Sequence, residues 1–164
     1  MTEEFVIRAA TEADIRRVRE IAALAWTPIF AEIRRRMGRE LFSRLRPDGI
    51  AGKSDQVDEG FRRHPERMWV AEIDGEVVGF ITFWVGDSEA RIGVIGNNAV
   101  HPDRHGRGVG RRMYQYALEW MRQQGLEYAS VQTGLDDAHA PARRAYEAVG
   151  FDIEIPSVMY YRKL

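Results

Sequence analysis

The chain has 164 residues, with 24 Lys and Arg against 25 Asp and Glu, a formal net charge of −1 and no cysteine. One domain spanning residues 1–164 is expected from that length, and the balanced charge argues against a nucleic-acid partner. The lack of cysteine removes disulfides, thiolate zinc sites and a cysteine nucleophile. No apolar run approaches the roughly 20 residues a membrane span requires. The acidic start Met1-Thr2-Glu3-Glu4 has no apolar stretch of the signal-peptide kind. A cytoplasmic protein without a membrane partner is the expectation.

Phe5 to Ala9 reads as a first strand. Thr11-Glu12-Ala13-Asp14 has a hydroxyl at the N-cap and a carboxylate three residues on, the pattern of a capping box. The helix that follows places Ile15, Val18, Ile21, Ala22 and Ala25 on one stripe. Trp26-Thr27-Pro28 should break or kink it, with a second helix from about Ile29 to Leu45. Pro47 to Ser54 reads as a loop and Asp55 to Arg63 as a short helix. This weakly patterned region is where a specificity element is expected.

Met68 to Ile73 and Val77 to Val85 flank Asp74-Gly75, a two-residue turn of the type I′ kind, and so predict a hairpin. A third antiparallel strand is expected over Arg91 to Val100. Val109, Met113, Tyr116, Ala117, Trp120 and Met121 form the apolar stripe of a helix that Gly125 terminates. Glu127 to Thr133 is a strand parallel to the one before that helix. Pro141 opens a last helix carrying Ala142, Ala145, Tyr146 and Val149, closed by Gly150. Phe151 to Ile155 and Val158 to Arg162 complete the expected strands. The fold class is α+β: a mixed, mostly antiparallel central sheet of about seven strands with helices on both faces.

The chemistry centres on His105-Gly106-Arg107-Gly108-Val109-Gly110 and the helix start at Arg111. Glycines free the backbone to approach a ligand, and a helix N-terminus offers unpaired N–H groups to an anion. A Walker A loop requires Lys then Ser or Thr after its last glycine, whereas Arg111-Arg112 follow here. A dinucleotide fingerprint fits poorly, because the glycines fall at 106, 108 and 110, mid-chain and after a hairpin.

The sequence resembles the GNAT superfamily of N-acetyltransferases. Their acetyl-CoA loop runs Gln or Arg, two residues, Gly, one residue, then Gly or Ala. It is matched by His105 to Gly110, with Val100-x-Pro102 ahead of it. A second signature, ending Tyr-Glu-x-x-Gly-Phe, is matched by His139-Ala140-Pro141-Ala142-Arg143-Arg144-Ala145-Tyr146-Glu147-Ala148-Val149-Gly150-Phe151. There are two departures: His105 stands where Gln or Arg is usual, and His139 where Asn is usual.

The lone His64 and His101 have no metal-ligand spacing, so no metal is expected. The resemblance implies acetyl-CoA as co-substrate. It places the CoA pyrophosphate on the N–H groups of Gly106, Arg107, Gly108, Val109, Gly110 and Arg111. The pantetheine arm would lie along Asn98, Ala99 and Val100, with His139 near its end and the Val100 N–H polarising the thioester carbonyl. Arg104, Arg107 and Arg111 could add charge for the phosphates. Tyr146 falls at the general-acid position, where a hydroxyl with a pKa of about 10 can protonate a thiolate with a pKa of about 8.5.

The resemblance also implies a small-molecule or peptide amine as acceptor. At pH 7 an amine with a pKa of about 10.4 is neutral in roughly one part per thousand, so some base or water chain must take its proton. Glu72, Asp87, Glu89 and His101 are the candidates, because Gly96 occupies the strand position where a glutamate would be sought. Trp26, Phe30, the segment 47–63, Trp84 and Tyr160 are expected around the acceptor. The rival readings are a non-catalytic acyl-CoA-binding module and a nucleotide-binding domain. The apolar run Val158-Met159-Tyr160-Tyr161 should be covered at an edge, and a homodimer is expected from it.

Overall fold

The computed structural model describes residues 4–164. Five strands form one sheet in the order β1-β2-β3-β4-β5, with β1 Phe5–Ala9, β2 Met68–Ile73, β3 Glu76–Asp87, β4 Ile92–Val100 and β5 Tyr128–Val131. The first four are antiparallel neighbours, and β4 and β5 run parallel, joined through α4 Val109–Gln123. The β2–β3 hairpin turns at Asp74 and Gly75, both at positive φ (50° and 79°), as a type I′ turn requires.

Two cores sit on opposite faces. Against one face α1 Ile15–Met37 and α3 Gly49–Arg63 bury Val18, Ile21, Val57 and Phe61 on Val70 and Phe80. Against the other, α4 and α5 Ala140–Glu147 bury Met113, Tyr114, Ala117 and Tyr146 on Ala71, Val78, Ile81 and Phe83. Alternate side chains along β2 and β3 serve the two cores in turn, so neither face of these central strands is wet.

Three expectations are corrected. Pro28 does not divide the first helix; α1 continues to Met37 and stops at Gly38, whose φ of +80° suits glycine. A short α2, Arg39–Leu45, follows. The helix α3 begins at Gly49 rather than Asp55, because Ser54, Val57 and Phe61 pack on α1 and Ser54 Oγ donates to the Arg19 carbonyl at 3.2 Å. Tertiary burial overrides the weak helix propensity of Gly49 and Gly52. Finally, the sheet has five strands rather than seven, for residues 151–164 form no strand. Ile155 and Tyr160 in that segment are each 89% exposed, and Lys163 pairs with Glu40 of α2 at 2.9 Å.

The Thr11–Asp14 capping box forms as read. The Thr11 N–H donates to Asp14 Oδ2 at 2.8 Å, and Arg8 grips both Asp14 oxygens at 2.7 and 2.8 Å. The Arg8 guanidinium therefore lowers the Asp14 carboxyl to about 2, against the opposing effect of burial and with Thr11 adding to it. A carboxylate lowered in the folded state stabilises above its unfolded value of 3.8 and loses that contribution as pH falls through about 2. Asp14→Asn should cost about 1–3 kcal/mol at pH 7. It should also flatten the stability curve between about pH 4 and 2, as read by urea titration at stepped pH.

Candidate active site

The site begins with a defect in the sheet. β4 pairs with β5 only from Ile92 to Ile95, opposite Tyr128 to Val131. Beyond Ile95 the register with β3 slips: Phe83 faces Ile95, but Ile81 faces Asn98, which leaves an extra residue on β4. Such a bulge bends its strand, and the Thr82 hydroxyl fixes it by donating to the Asn97 carbonyl at 3.1 Å. The edge of β4 from Gly96 to Val100 is left without a strand partner on the β5 side.

The direction of the β4 backbone groups follows from one bond. The His101 N–H donates to the Val78 carbonyl of β3 at 2.8 Å. Successive residues of a strand aim their backbone groups to opposite sides. Val100 and Asn98 therefore aim theirs into the opening, and Ala99 aims its own at β3. The Val100 carbonyl is occupied, accepting from His105 Nε2 at 2.9 Å. Its N–H faces the opening.

The loop after β4 presents backbone N–H groups of the kind that favour an anion. Gly106 and Gly108 adopt φ of +74° and +76°, which requires glycine at both. Gly108 caps α4, and the first helical bond runs from the Arg112 N–H to the Gly108 carbonyl at 3.0 Å. The N–H groups of Val109, Gly110 and Arg111 therefore precede the helical ladder. Gly110 has ordinary φ, and a methyl there would meet Val100 Cγ2 at 3.7 Å, an ordinary contact, so neither conformation nor space demands glycine at that position. Arg104 is held by Glu76 at 2.9 Å, which leaves Arg111 at the mouth.

Tyr146 projects from α5 to the same opening and is 6% exposed. Asn98 Nδ2 donates to its hydroxyl at 3.1 Å, while the Tyr114 hydroxyl donates to Asn98 Oδ1 at 2.8 Å. The Tyr114 and Tyr146 rings meet at 4.8 Å, and Phe151 packs edge-on to Tyr146 at 5.8 Å. Burial raises the Tyr146 hydroxyl above its ordinary value, with hydrogen bonds from Asn98 and Tyr114 working against it. Burial also raises Tyr114, helped by the neighbouring Tyr146. Both hydroxyls are therefore protonated at neutral pH. The Tyr146 hydroxyl also reaches Asn98 Oδ1, at a long 3.5 Å, since the amide oxygen can accept from it as well as from Tyr114.

His139 sits across the opening. Its Nδ1 lies 2.7 Å from Asp136 Oδ2, and Asp136 Oδ1 accepts from the His139 N–H at 3.2 Å. Burial resists ionisation of Asp136, but the His139 contacts prevail and lower it. Arg143 holds this turn by donating to the carbonyls of Gly134 and Asp136 at 2.6 and 2.8 Å.

One continuous cleft of about 1690 Å³ joins these parts. It passes from the glycine loop, past Asn98 and Tyr146, through the parted sheet to Trp26, Phe30, Pro47 and Trp84 on the α1–α3 side. It is therefore open to both faces of the sheet. A linear donor and a separate acceptor can meet at the gap from opposite sides.

All the sequence-derived binding residues other than Arg107 line this cleft, namely Asn98, Ala99, Val100, His105, Gly106, Gly108, Val109, Gly110, Arg111 and His139, together with Tyr146. The candidate bases do not. Glu72 is bonded to Arg8 at 2.7 Å, Asp87 accepts from the Ala90 N–H at 2.8 Å, and His101 accepts from the Asp103 N–H at 3.2 Å. Glu89 lies in the exposed turn between β3 and β4, outside the cleft lining. Tyr160 is likewise outside it. A glutamate at Gly96 would not fit, since a Cβ there would lie 2.7 Å from both Thr82 Oγ1 and the Trp84 ring.

Two residues that line the cleft escape the sequence reading. Tyr114 lies three residues before Ala117 and seven before Met121, a spacing that marks it as buried. The other is Lys53 on α3, whose Nζ donates to Asn97 Oδ1 at 2.8 Å and to Gln56 Oε1 at 2.7 Å and lies 4.2 Å from the centre of the Trp26 ring. Nothing in the local pattern marks Lys53.

A glycine-rich loop at a helix N-terminus, a parted parallel strand pair and a buried tyrosine meet on one cleft. The chain belongs to the acetyltransferase (GNAT) family, whose family model matches residues 17–151. A mycothiol acetyltransferase of Thermomonospora curvata is 33% identical over 96 residues, covering 58% of this chain and 31% of the relative. The chain thus spans about a third of that relative's length. Among solved structures, the PaiA N-acetyltransferase of Thermoplasma acidophilum in complex with coenzyme A aligns with a TM-score of 0.72 at 16% identity, covering 94% of this chain and 93% of the other. YncA of Salmonella typhimurium, a putative acetyltransferase with acetyl-CoA, gives 0.64 at 19% identity, over 92% and 81%.

Proposed function

We propose that this protein transfers the acetyl group of acetyl-CoA to a primary amine by direct attack within a ternary complex. The observation that carries the reading is the gap between β4 and β5, where the Val100 N–H and the Tyr146 hydroxyl face one cleft open at both ends. The N–H groups from Gly106 to Arg111 hold the CoA pyrophosphate, the anion that a helix N-terminus favours. The pantetheine arm lies along the free edge of β4, bonding Asn98 and Val100, with His139 on the far side.

The amine enters from the α1–α3 side and attacks the thioester carbonyl carbon. A C–N bond forms, and the carbonyl electrons move to oxygen, where the Val100 N–H stabilises the oxyanion. Collapse of this intermediate breaks the C–S bond. Tyr146 gives its proton to the departing CoA thiolate, the proton lost by the amine leaves through water to solvent, and Tyr146 takes a proton back from that water to close the cycle. Asn98 and Tyr114 position the Tyr146 hydroxyl and accompany its charge change. The products are an N-acetylated amine and free CoA. Amine-dependent release of the CoA thiol tests this reading. Acetyl-CoA binding without such release would favour an acyl-CoA-binding module instead.

The reading extends to assembly. The outer edge of β5 carries no strand partner among the described residues, and residues 152–164 form no strand and leave Ile153, Ile155, Val158, Met159, Tyr160 and Tyr161 exposed. Pairing of these elements between two copies would cover both, and a homodimer follows. Light scattering should give twice the chain mass; a strictly monomeric mass at high protein concentration would refute it. Among the described residues, no helix is long and apolar enough to cross a membrane.

A further inference from the structure

The acceptor end of the cleft carries an unusual charge balance. Its lining contributes Arg46, Lys53 and Arg67 but one carboxylate among the described residues, Asp48 at the start of α3. Arg67 is partly neutralised by Glu66 at 3.5 Å and packs over Trp84. Arg46 packs over the Phe30 ring at 5.3 Å. Neither Arg46 nor Lys53 forms an ion pair with a carboxylate among the described residues. Both polar partners of Lys53, Asn97 and Gln56, are neutral amide oxygens. An ammonium has three N–H donors, so these two bonds leave one donor over, and the Trp26 face 4.2 Å away offers the charge a cation–π contact but no counter-ion.

Burying a cation without a counter-ion is costly. Burial first, and then the charge of Arg46, push the Lys53 ammonium down to about 8. Lys53 also stands beside the reacting gap, since Asn97 is the neighbour of Asn98 on the bulge of β4. A packing role alone would be served by any long apolar side chain over Trp26.

Resting on the acetyl-transfer reading above, we infer that the acceptor is an amine bearing an anionic group, a carboxylate or a phosphate, which Lys53 and Arg46 receive while its amino group reaches the gap. The charge that the protein leaves open is supplied by the substrate. A polyamine or aminoglycoside would bring further positive charge to the same cations, and like charges in a desolvated cleft discriminate strongly against the wrong partner. The asymmetry also orients the acceptor: its anion is drawn to α3, which leaves its amine toward Asn98 and Tyr146.

The test uses size-matched amines on the intact chain loaded with CoA. 4-Aminobutyrate, butylamine and putrescine differ in one terminal charge; ethanolamine phosphate and ethanolamine form the phosphate arm. Calorimetry should show 4-aminobutyrate or ethanolamine phosphate binding at least tenfold more tightly than its partner without the anion, with putrescine weakest. Whichever anion gains more identifies the source. Lys53→Met should abolish the preference with CoA affinity unchanged, and Lys53→Arg should keep it. Around Lys53 the charged and titratable cleft groups are Arg46, Asp48, His64 and Arg67. The preference should fade in wild type as pH rises past about 8, and should not fade in Lys53→Arg.

Equal binding of the amines with and without the anion would overturn the inference, as would a preference for putrescine, no binding of any amine at millimolar concentration, or a preference that survives Lys53→Met. Anion-selective binding without acetyl transfer would instead sink the catalytic reading and leave this one standing.

Discussion

Tyr146→Phe lowers kcat by about 10²–10³, the contribution expected of a positioned general acid. The substitution leaves the ring contacts to Tyr114 and Phe151 in place. It also leaves the Asn98 amide a partner, since Nδ2 donates to the Gly96 carbonyl at 3.0 Å as well. KM for acetyl-CoA should therefore change little, and the loss should fall on the transition state alone. The raised pKa of Tyr146 sets the pH profile. Its hydroxyl remains a donor through neutral and mildly alkaline pH, so wild-type kcat should show no fall from tyrosine ionisation below about pH 10. A variant within threefold of wild type would remove Tyr146 from the chemistry and make it a core tyrosine.

Gly108→Val should weaken acetyl-CoA binding by about 10–100-fold. A β-branched residue at the φ of +76° carries a strain of about 1–3 kcal/mol, which the loop can relieve only by moving its N–H groups out of position. Gly110→Ala is the contrasting variant. Its φ is ordinary and its methyl would meet nothing closer than 3.7 Å, so the fold should be unchanged. Thermal melting with and without acetyl-CoA reads both. Ligand stabilisation should vanish for Gly108→Val at concentrations that protect wild type. Equal protection of the two would show that the loop's backbone conformation does not govern binding.

What could be read from the sequence was local. Asp74-Gly75 specifies its turn by backbone conformation alone, and the hairpin followed from it. The glycine loop and the start of α4 were legible for the same reason: positive φ at Gly106 and Gly108 and the helix N-terminus are properties of a few adjacent residues. Tyr146 and His139 came from a contiguous pattern on and beside α5. The failures lie where packing across the chain decides. Pro28 signals a break that α1 does not take, and α3 starts among glycines because it is held against α1. Glu72 on β2 is taken up by Arg8 of β1, a contact that no local pattern carries. Lys53 gained its place through contacts with Trp26 and Asn97, distant in sequence and brought together only by the fold. The last residues alternate as strands do, yet lie unpaired here, because strand pattern alone does not supply an edge to pair with.

The most direct test of the central claim is release of free CoA thiol from acetyl-CoA, followed with and without amines spanning anionic, neutral and cationic acceptors. Acetyl transfer predicts release that requires the amine, matches it mole for mole in N-acetylated product, and collapses in Tyr146→Phe. Acetyl-CoA that binds and protects the fold, with no amine accelerating thiol release, would contradict it and leave the cleft a binding site without chemistry.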